Sequence, residues 1–379
     1  MSRVILQWPS FGPYHTARLR ACAEAAPDGV EVIGLAVAGQ VQGRPWKPDA
    51  GAESLRVETL FPEAMYHELP GAKVRAAMKE ALDDLAPEVV GISGYGMVDS
   101  RAALEWARRS GATKVMMTES KEDDAPRVWW KEWLKRRLVG RFDSALCGGS
   151  PHRAYLEKLG MPPERIFDRY DVVDNERFRK AADEVRADPT LFRNLPGLDD
   201  KRPFFLASSR FIERKNLPRL IAAFADYRKD NPKGWRLIIL GTGPDEELLR
   251  RQVADDEVPD VIFAGFQQFE SLVAYYAMAG AFIHPALQEQ WGLVVNEAMA
   301  CGLPILCASK VGACHDLVLG GENGFRFDPA DTEEIERAFE AMSSSQSRDE
   351  MGKRSLEIIS EWTPDDFARN FWAAAKVGL

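Results

Sequence analysis

The sequence predicts an α/β protein built from two parallel-sheet domains, and three observations lead to this fold class. Short apolar runs rich in β-branched residues alternate with segments of helical periodicity along most of the chain, a pattern typical of parallel sheets covered by helices. The alternation pauses once, over residues 176–202, where charged residues, Pro and Gly replace the apolar runs. The length of 379 residues suits two domains rather than one.

The first domain is predicted over residues 1–175. Its strands are short apolar runs, and most are followed by a stretch whose apolar positions have helical spacing. The predicted strands are 4–6, 31–37, 89–93, 114–118 and 145–147, and the predicted helices are 15–26, 72–85, 100–109 and 151–159. Residues 176–202 are predicted to be an interdomain linker, because no strand pattern interrupts their charged composition.

The second domain is predicted over residues 203–355 and repeats the same alternation. Its predicted strands are 204–207, 236–240, 261–264, 281–284 and 304–308, and its predicted helices are 217–229, 246–254, 270–279 and 293–300. Ligands of such sheets bind beyond the carboxyl ends of the strands. Two sheets that face each other would enclose a cleft, which favours an enzyme with two substrates.

Composition and charge exclude several classes of protein. The chain carries 49 Lys+Arg against 58 Asp+Glu, a net charge of −9, which argues against a nucleic-acid-binding protein. The N-terminus lacks the apolar core of a signal peptide, and no apolar run is long enough to span a bilayer. The sequence therefore predicts a cytoplasmic protein.

The five cysteines are predicted to be buried free thiols, because they are odd in number and lie mostly in apolar surroundings. Cys301, Cys307, Cys314 and His315 are the one conceivable zinc set. Their spacing matches none of the tight paired-ligand patterns, so we predict no metal site.

The most informative segment runs from residue 289 to residue 304, after the predicted strand 281–284. Glu289 precedes Gly292, and Glu297 falls within the helix that follows. Glycine allows a backbone to approach a ligand closely, and the free N–H groups of a helix N-terminus suit a diphosphate. Isolated glutamates at such positions are usually solvated. The whole segment, however, resembles the E-x7-E signature of the retaining GT-B glycosyltransferases of glycosyltransferase family 4.

The match to this signature covers many positions at fixed spacing. The matching residues are Glu289, Gly292, Leu293, Glu297, Ala298, Met299, Ala300, Gly302 and Pro304, while Trp291 replaces the family's usual aromatic residue. The resemblance implies a GT-B fold, in which two Rossmann-like domains face each other across a cleft. It also implies an acceptor-binding first domain, a donor-binding second domain, and a C-terminal helix within 356–379 that crosses back to the first domain.

A second segment follows the first strand of the second domain and resembles the family's arginine–lysine segment. In that family the arginine and the lysine bind the diphosphate of the donor, and they correspond to Arg210 and Lys215 here. Charge-assisted hydrogen bonds to a diphosphate are strong when they are shielded from water. The alternative is a solvated basic turn.

The resemblance implies roles for further residues around the donor. Glu297 would bond the ribose and Glu289 the hydroxyls of the donor sugar, so Arg210, Lys215 and Glu289 form the predicted catalytic set. The other donor-binding residues implied are Gly12, Gly241, Gly243, Phe266, Gly292 and Leu293. For Phe266, a place in the hydrophobic core is an equal alternative.

Signals for an acceptor site in the first domain are weaker. Glu119 and Asp123 follow a predicted strand, and a carboxylate there could assist the acceptor hydroxyl. A solvated acidic loop is the alternative. His15 lies near a predicted helix start, where a histidine is more typical of a cap or a core residue than of a catalyst.

Residues 127–141 form a basic segment in a chain that is acidic as a whole. This segment contains six basic residues and one acidic residue, and three of the chain's ten tryptophans lie within 129–133. A basic, Trp-rich amphipathic helix is typical of a membrane surface. That interpretation implies peripheral contact with the inner face of the membrane and a lipid-linked acceptor. The alternative is that the tryptophans pack inward and the basic residues are merely solvated.

The sequence thus predicts a retaining, metal-independent glycosyltransferase without a cofactor. It would move a sugar from a nucleoside-diphosphate sugar to a hydroxyl acceptor in polysaccharide, glycolipid or other glycoconjugate biosynthesis. One alternative is a sugar-nucleotide epimerase of the same fold, which needs acids and bases that the first domain does not reveal. Another is a catalytically silent nucleotide-binding homologue, against which the intact pairs Arg210/Lys215 and Glu289/Glu297 argue.

Overall fold

The computed structural model describes residues 2–40 and 54–378. The chain forms two compact units, one comprising Met1–Val173 with Trp362–Leu379 and the other Asp174–Glu361. Each unit contains one sheet in which the described strand pairs are parallel. The predicted fold class, an α/β protein with two parallel-sheet domains, is therefore confirmed.

The first sheet has seven strands and the second has six. The first comprises β1 (Ser2–Trp8), β2 (Val30–Gln40), β3 (Val57–Met65), β4 (Val89–Ser93), β5 (Thr113–Thr118), β6 (Ser144–Cys147) and β7 (Ile166–Phe167). The second comprises β8 (Phe204–Ser208), β9 (Arg236–Leu240), β10 (Val261–Gly265), β11 (Ala281–His284), β12 (Ile305–Ala308) and β13 (Gly324–Phe327). The strands β1, β4, β6, β8, β9, β11 and β12 are mostly or wholly buried, as expected for strands covered on both faces.

Fourteen α-helices are described. Those of the first unit, except the last helix of the chain, are α1 (Pro13–Glu24), α2 (Gly71–Leu85), α3 (Val98–Ser110), α4 (Trp129–Val139) and α5 (Ser150–Lys158). Those that follow along the chain are α6 (Asn175–Ala187), α7 (Leu217–Asp230), α8 (Glu246–Asp255), α9 (Phe269–Met278), α10 (Leu293–Ala300), α11 (Gly312–Leu317), α12 (Thr332–Ser344), α13 (Arg348–Ile359) and α14 (Pro364–Lys376). In the described ranges, no helix combines the length and the apolar character needed to cross a membrane.

The strand order of each sheet reverses at one place. The first sheet runs β3-β2-β1-β4-β5-β6-β7, so it reverses between β1 and β4. The second runs β10-β9-β8-β11-β12-β13, so it reverses between β8 and β11. The loops that leave the carboxyl ends of strands on the two sides of such a reversal diverge and leave a crevice, which is the usual ligand site of open α/β sheets.

Three strands were not predicted from the sequence, and all lie at sheet edges. β3 carries Glu58, Pro62 and Glu63, which break its apolar run, and only its partner β2 pairs with it. β7 has two residues, and β13 has only two apolar residues separated by Arg326. Edge strands need less burial than central ones, so their hydrophobic signal is weak.

Residues 176–202, predicted to be an interdomain linker, lie within the second unit. Their first part is α6, which buries Phe178, Ala182 and Val185 in the second unit. The spacing of these three residues is helical, but the surrounding charges hid the apolar stripe in the sequence. The boundary between the units accordingly lies at Val173 rather than at residue 175.

The predicted C-terminal segment, residues 356–379, divides between the units. The helix α13 ends at Ile359 in the second unit, and α14 belongs to the first. Thr363 and Asp366 cap α14 reciprocally. Within the first unit, Trp372 Nε1 donates to the carbonyl of Cys22 at 3.2 Å, so α14 packs against α1.

Candidate active site

Two loops meet at the point where the second sheet reverses. One follows β8 and the other follows β11, and these two strands are paired neighbours. The N–H of Leu287 donates to the carbonyl of Arg214 at 2.9 Å, which joins the loops through their backbones. Asn216 Nδ2 donates to the carbonyl of Pro285 at 3.1 Å and joins them a second time. The side chains of these loops are therefore held in a fixed relation to each other.

Lys215 and Glu289 come from these two loops and bind each other. Lys215 ends a short 3₁₀ helix, Glu213–Lys215, and its Nζ donates to Oε2 of Glu289. The side chains are 12% and 14% exposed, so the pair is shielded from water without being fully enclosed. Two residues that the sequence predicts to contact one donor thus lie together at the edge of the sheet where ligands bind.

Burial and the partner's charge shift the pKa values of Lys215 and Glu289 in opposite directions. Burial lowers the pKa of Lys215, and the charge of Glu289 opposes that effect. Arg214 and Arg210 add smaller reductions. For Glu289, burial alone would raise the pKa, but His284 and Lys215 together outweigh it and hold the pKa well below its usual range. Glu289 is therefore an anion at neutral pH.

The loop after β8, residues 209–216, is called the cationic loop below. Arg210 and Arg214 are exposed on it, beside the mostly buried Lys215. Both arginines lie near enough to Lys215 to lower its pKa. Such a cluster of positive charge at the carboxyl edge of a sheet suits an anionic ligand.

Gly241 and Gly243 pack directly against the cationic loop. A Cβ at Gly241 would lie 1.9 Å from the carbonyl oxygen of Ser209, and one at Gly243 would lie 2.3 Å from that of Phe211. The N–H of Phe211 also donates to the carbonyl of Thr242 at 2.9 Å. Only glycine fits at such separations, so these residues support the cationic loop. The donor contact predicted for them stays a prediction.

The signature helix α10 begins at a glycine in the left-handed conformation. Gly292 has φ 102, and a Cβ there would lie 3.4 Å from Cγ of Glu289. Leu293, the first residue of α10, is half-buried. The indole Nε1 of Trp291 donates to Oδ1 of Asn296 at 2.9 Å in the interior. The aromatic substitution in the signature is therefore matched by a buried hydrogen-bond partner.

Glu297 is more enclosed than its predicted contact with a ribose suggested. It is 1% exposed, and its Oε2 accepts a hydrogen bond of 2.7 Å from the hydroxyl of Tyr276. Tyr276 lies on α9, so this bond ties α9 to α10. The sequence analysis did not find this partner, because nothing in the local pattern connects residues 21 positions apart. The ribose contact stays a prediction.

Phe266 follows β10 and is 41% exposed. The core alternative is therefore wrong for this residue. An exposed aromatic ring beside the sheet edge is available to stack on a planar ligand.

In the first unit, His15 acts as a helix cap. The N–H of Gly12 donates to Nδ1 of His15 at 3.0 Å at the start of α1. The imidazole also packs on Trp8, with ring centroids 4.9 Å apart. These contacts favour the capping interpretation over a catalytic one.

The acidic loop after β5 is organised around a buried lysine. The side chain of Lys121 is 2% exposed, and its ammonium donates to Oδ1 of Asp123. Asp124 Oδ1 lies 3.6 Å from the same nitrogen. Asp123 is exposed and Glu119 is half-buried. The carboxylate of Asp123 is thus engaged within its own loop.

The sequence of this chain is similar to those of several glycosyltransferases. Residues 190–357 match the family described as Glycosyl transferases group 1. The GDP-mannose-dependent α-(1-6)-phosphatidylinositol monomannoside mannosyltransferase of Mycolicibacterium smegmatis is 35% identical over 284 residues, 71% of each chain. The chain belongs to the group 1 glycosyltransferases. N-acetyl-α-D-glucosaminyl L-malate synthase of Bacillus anthracis is 24% identical over 54% of this chain and 51% of its own length.

Solved structures resemble this glycosyltransferase along nearly its whole length. Sucrose-phosphate synthase from Thermosynechococcus elongatus superimposes with a TM-score of 0.72 at 17% identity, covering 99% of this chain and 97% of that chain. The Anabaena protein HepE in complex with UDP-glucose gives 0.69 at 17% identity and covers 99% of both chains. These likenesses confirm the GT-B fold. No relative named here supports the epimerase alternative.

The first unit of this glycosyltransferase contains a buried ion pair for which the sequence gives no signal. Arg18 Nη2 lies 3.2 Å from Oδ1 of Asp171, with side chains 2% and 0% exposed. Burial raises the pKa of Asp171, and the neighbouring Glu119 raises it further, while Arg18 opposes both. The guanidinium also lies over the ring of Tyr170, 4.5 Å from its centroid. Residues this far apart in sequence leave no local pattern.

Proposed function

We propose that this glycosyltransferase transfers a sugar from a nucleoside-diphosphate sugar to a hydroxyl acceptor, with retention of anomeric configuration and without a metal ion. One observation carries the proposal. The Lys215–Glu289 pair lies at the point where the second sheet reverses, beside the exposed guanidinium groups of Arg210 and Arg214. A cation for a diphosphate and a carboxylate for sugar hydroxyls are thus presented from two adjoining loops.

The residues of the second unit suit complementary tasks. Lys215 and Arg210 stabilise the diphosphate as it departs, which is where negative charge develops. Glu289 is held as an anion and accepts hydrogen bonds from the hydroxyls of the donor sugar. We assign it no nucleophilic role. The leaving diphosphate itself takes the proton of the acceptor hydroxyl on the face that it leaves, which preserves the anomeric configuration.

The donor is tested with a panel of UDP, GDP, ADP and TDP sugars, by following release of the nucleoside diphosphate. GDP-mannose is the first to try, because a relative at 35% identity is named as GDP-mannose-dependent. Release with one donor in the presence of an acceptor extract, unchanged by EDTA, supports the proposal. An α-linked product from an α-linked donor, identified by NMR, supports retention. Nucleotide binding without release from any donor would favour the silent homologue.

We also propose that the enzyme contacts an anionic membrane surface through α4. Trp129 is 82% exposed, and Trp130 and Trp133 are about half exposed, which contradicts inward packing of the tryptophans. The side chain of Lys131 lies 5.5 Å from the centroid of the Trp130 ring, and Arg137 lies 4.1 Å from that of Trp133. Exposed indoles interleaved with cations suit the boundary between anionic headgroups and acyl chains.

A vesicle sedimentation assay tests this contact. The protein should pellet with phosphatidylglycerol vesicles and stay in solution with phosphatidylcholine vesicles. The double variant Lys131→Gln/Arg137→Gln should lose most of this binding. The double variant Lys353→Gln/Arg354→Gln removes two charges from α13 and should keep it. Equal recovery of the wild-type protein with both kinds of vesicle would overturn the proposal.

A further inference from the structure

A buried histidine adjoins the Lys215–Glu289 pair, and the residues predicted for the site do not include it. His284 is the last residue of β11 and is 1% exposed. Within the described part of the chain, neither of its ring nitrogens has a hydrogen-bond partner. Both nitrogens are shielded from water, so solvent cannot satisfy them. Leaving buried polar atoms unpaired is costly, and such atoms in a native interior call for an explanation.

A carboxylate acceptor, Glu289, lies close to this imidazole. Nε2 of His284 lies 3.8 Å from Oε2 of Glu289, which is the oxygen that also receives Lys215. That separation exceeds a hydrogen bond by about 1 Å. A hydrogen bond between them therefore requires the Glu289 carboxylate to move toward the ring by about 1 Å. The ring lies nearly parallel to that of Phe282, two residues earlier on the same strand, with centroids 6.3 Å apart.

His284 is a neutral donor rather than a second cation. Burial lowers its pKa, and the positive charges of Lys215 and Arg214 lower it further, while Glu289 opposes them. A neutral imidazole carries one N–H, which Nε2 can present to a carboxylate while Nδ1 stays unprotonated. His284 can thus bond Glu289 without competing for the diphosphate.

We propose that His284 is a positioning residue that holds Glu289 toward the donor sugar when Lys215 turns to the diphosphate. Lys215 and Glu289 now bind each other, yet the proposed function gives each a separate part of the donor. As Lys215 engages the phosphates, its hold on Glu289 weakens. The N–H of His284 then replaces it and keeps the carboxylate oriented. This inference rests on the proposed function and adds a residue to its donor-sugar site.

The test compares His284→Phe with His284→Gln. Phenylalanine keeps a ring of similar size and removes the donor, while glutamine places an amide N–H near the position of Nε2. His284→Phe should raise KM for the nucleotide sugar roughly tenfold or more, because a hydrogen bond to a charged group is lost. The Kd of the nucleoside diphosphate alone, measured calorimetrically, should change less than twofold. His284→Gln should recover most of the wild-type KM.

Comparing the affinities for the nucleotide sugar and for the nucleoside diphosphate distinguishes a positioning role of His284 from a structural one. A merely misfolded His284→Phe protein would lose affinity for the nucleoside diphosphate and the nucleotide sugar alike, and that result overturns the inference. An unchanged KM for the sugar donor overturns it as well. The control His67→Phe alters an exposed histidine of the first unit and should change neither value. If the wild-type protein transfers no sugar, the proposed function has failed instead.

Discussion

The two sheets reverse their strand order in the same way, but the side chains at the two reversals are used differently. In the second unit, a mostly buried lysine and glutamate from separate loops bind each other beside exposed arginines. In the first unit, Gln7 on β1 donates to Asp99 at 2.6 Å, and Tyr66 donates to the other oxygen of the same carboxylate at 2.6 Å. Asp99 is wholly buried.

A shared topology thus supplies two possible sites, and the side chains decide which one carries chemistry. Polar groups at the first reversal satisfy each other inside the unit, so they contribute to its stability. The charges at the second reversal remain partly open to solvent, so a ligand can exchange with them. Fold alone gives no such distinction.

The largest effect should follow from removing the cation at the second reversal. Lys215→Ala should lower kcat/KM about a hundredfold, because the diphosphate loses a partner and Glu289 is left mostly buried without its cation. Initial rates of nucleoside diphosphate release measure this loss. Lys233→Ala alters an exposed lysine of the same unit and should keep wild-type rates. A Lys215→Ala enzyme with near-wild-type activity would remove Lys215 from the site.

The buried ion pair of the first unit should affect stability instead. Arg18→Met should lower the free energy of unfolding by about 3 kcal/mol, because the carboxyl of Asp171 stays buried next to Glu119 without the guanidinium that pairs with it. Urea unfolding followed by tryptophan fluorescence measures the change.

The control for Arg18→Met is the double variant Arg18→Met/Asp171→Asn. It removes both charges and should recover part of the lost stability. Affinity for the nucleoside diphosphate should stay at the wild-type value in both variants. A loss of nucleotide affinity in the folded Arg18→Met protein would contradict the assignment of this ion pair to stability alone.

The sequence predicted those parts of the fold and of the candidate site whose residues lie close together along the chain. The spacing of Glu289, Gly292 and Glu297 predicted the loop after β11 and the helix α10, because strand, loop and helix follow each other directly. The Lys215–Glu289 bond spans 74 positions and the Arg18–Asp171 pair spans 153, so only the fold brings them together. Charged residues around α6 hide its apolar stripe, so the sequence pattern predicts a linker there rather than a helix.

A weaker effect should follow from changing the acidic loop of the first unit. Asp123→Asn should alter kcat less than threefold, because this exposed carboxylate is engaged by Lys121 rather than presented alone. Glu119→Gln is the informative companion, since Glu119 adjoins the buried Asp171. Steady-state rates at saturating donor compare the two variants. A large loss of kcat in Asp123→Asn would instead support Asp123 as the base that assists the acceptor hydroxyl.

The smallest effect concerns a carboxylate of the second unit away from the proposed site. Hydrogen bonds from Arg202 and Arg228 lower the pKa of Asp260 to about 2, below its ordinary value of about 3.9. Its stabilising contribution is therefore present above pH 4 and is lost as the pH falls toward 2. Asp260→Asn should lower the free energy of unfolding at pH 7 by no more than about 1 kcal/mol, because the pair with Arg202 is partly exposed.

The difference between the wild-type protein and Asp260→Asn should narrow steadily between pH 4 and pH 2, as urea unfolding at each pH would show. Donor affinity of the variant at pH 7 should equal that of the wild-type protein, because Asp260 precedes β10 at the end of the sheet opposite the cationic loop. A stability difference that stays constant on acidification would mean that Asp260 acts through packing rather than through its charge. A loss of donor affinity would instead show that the two ends of this sheet are energetically coupled.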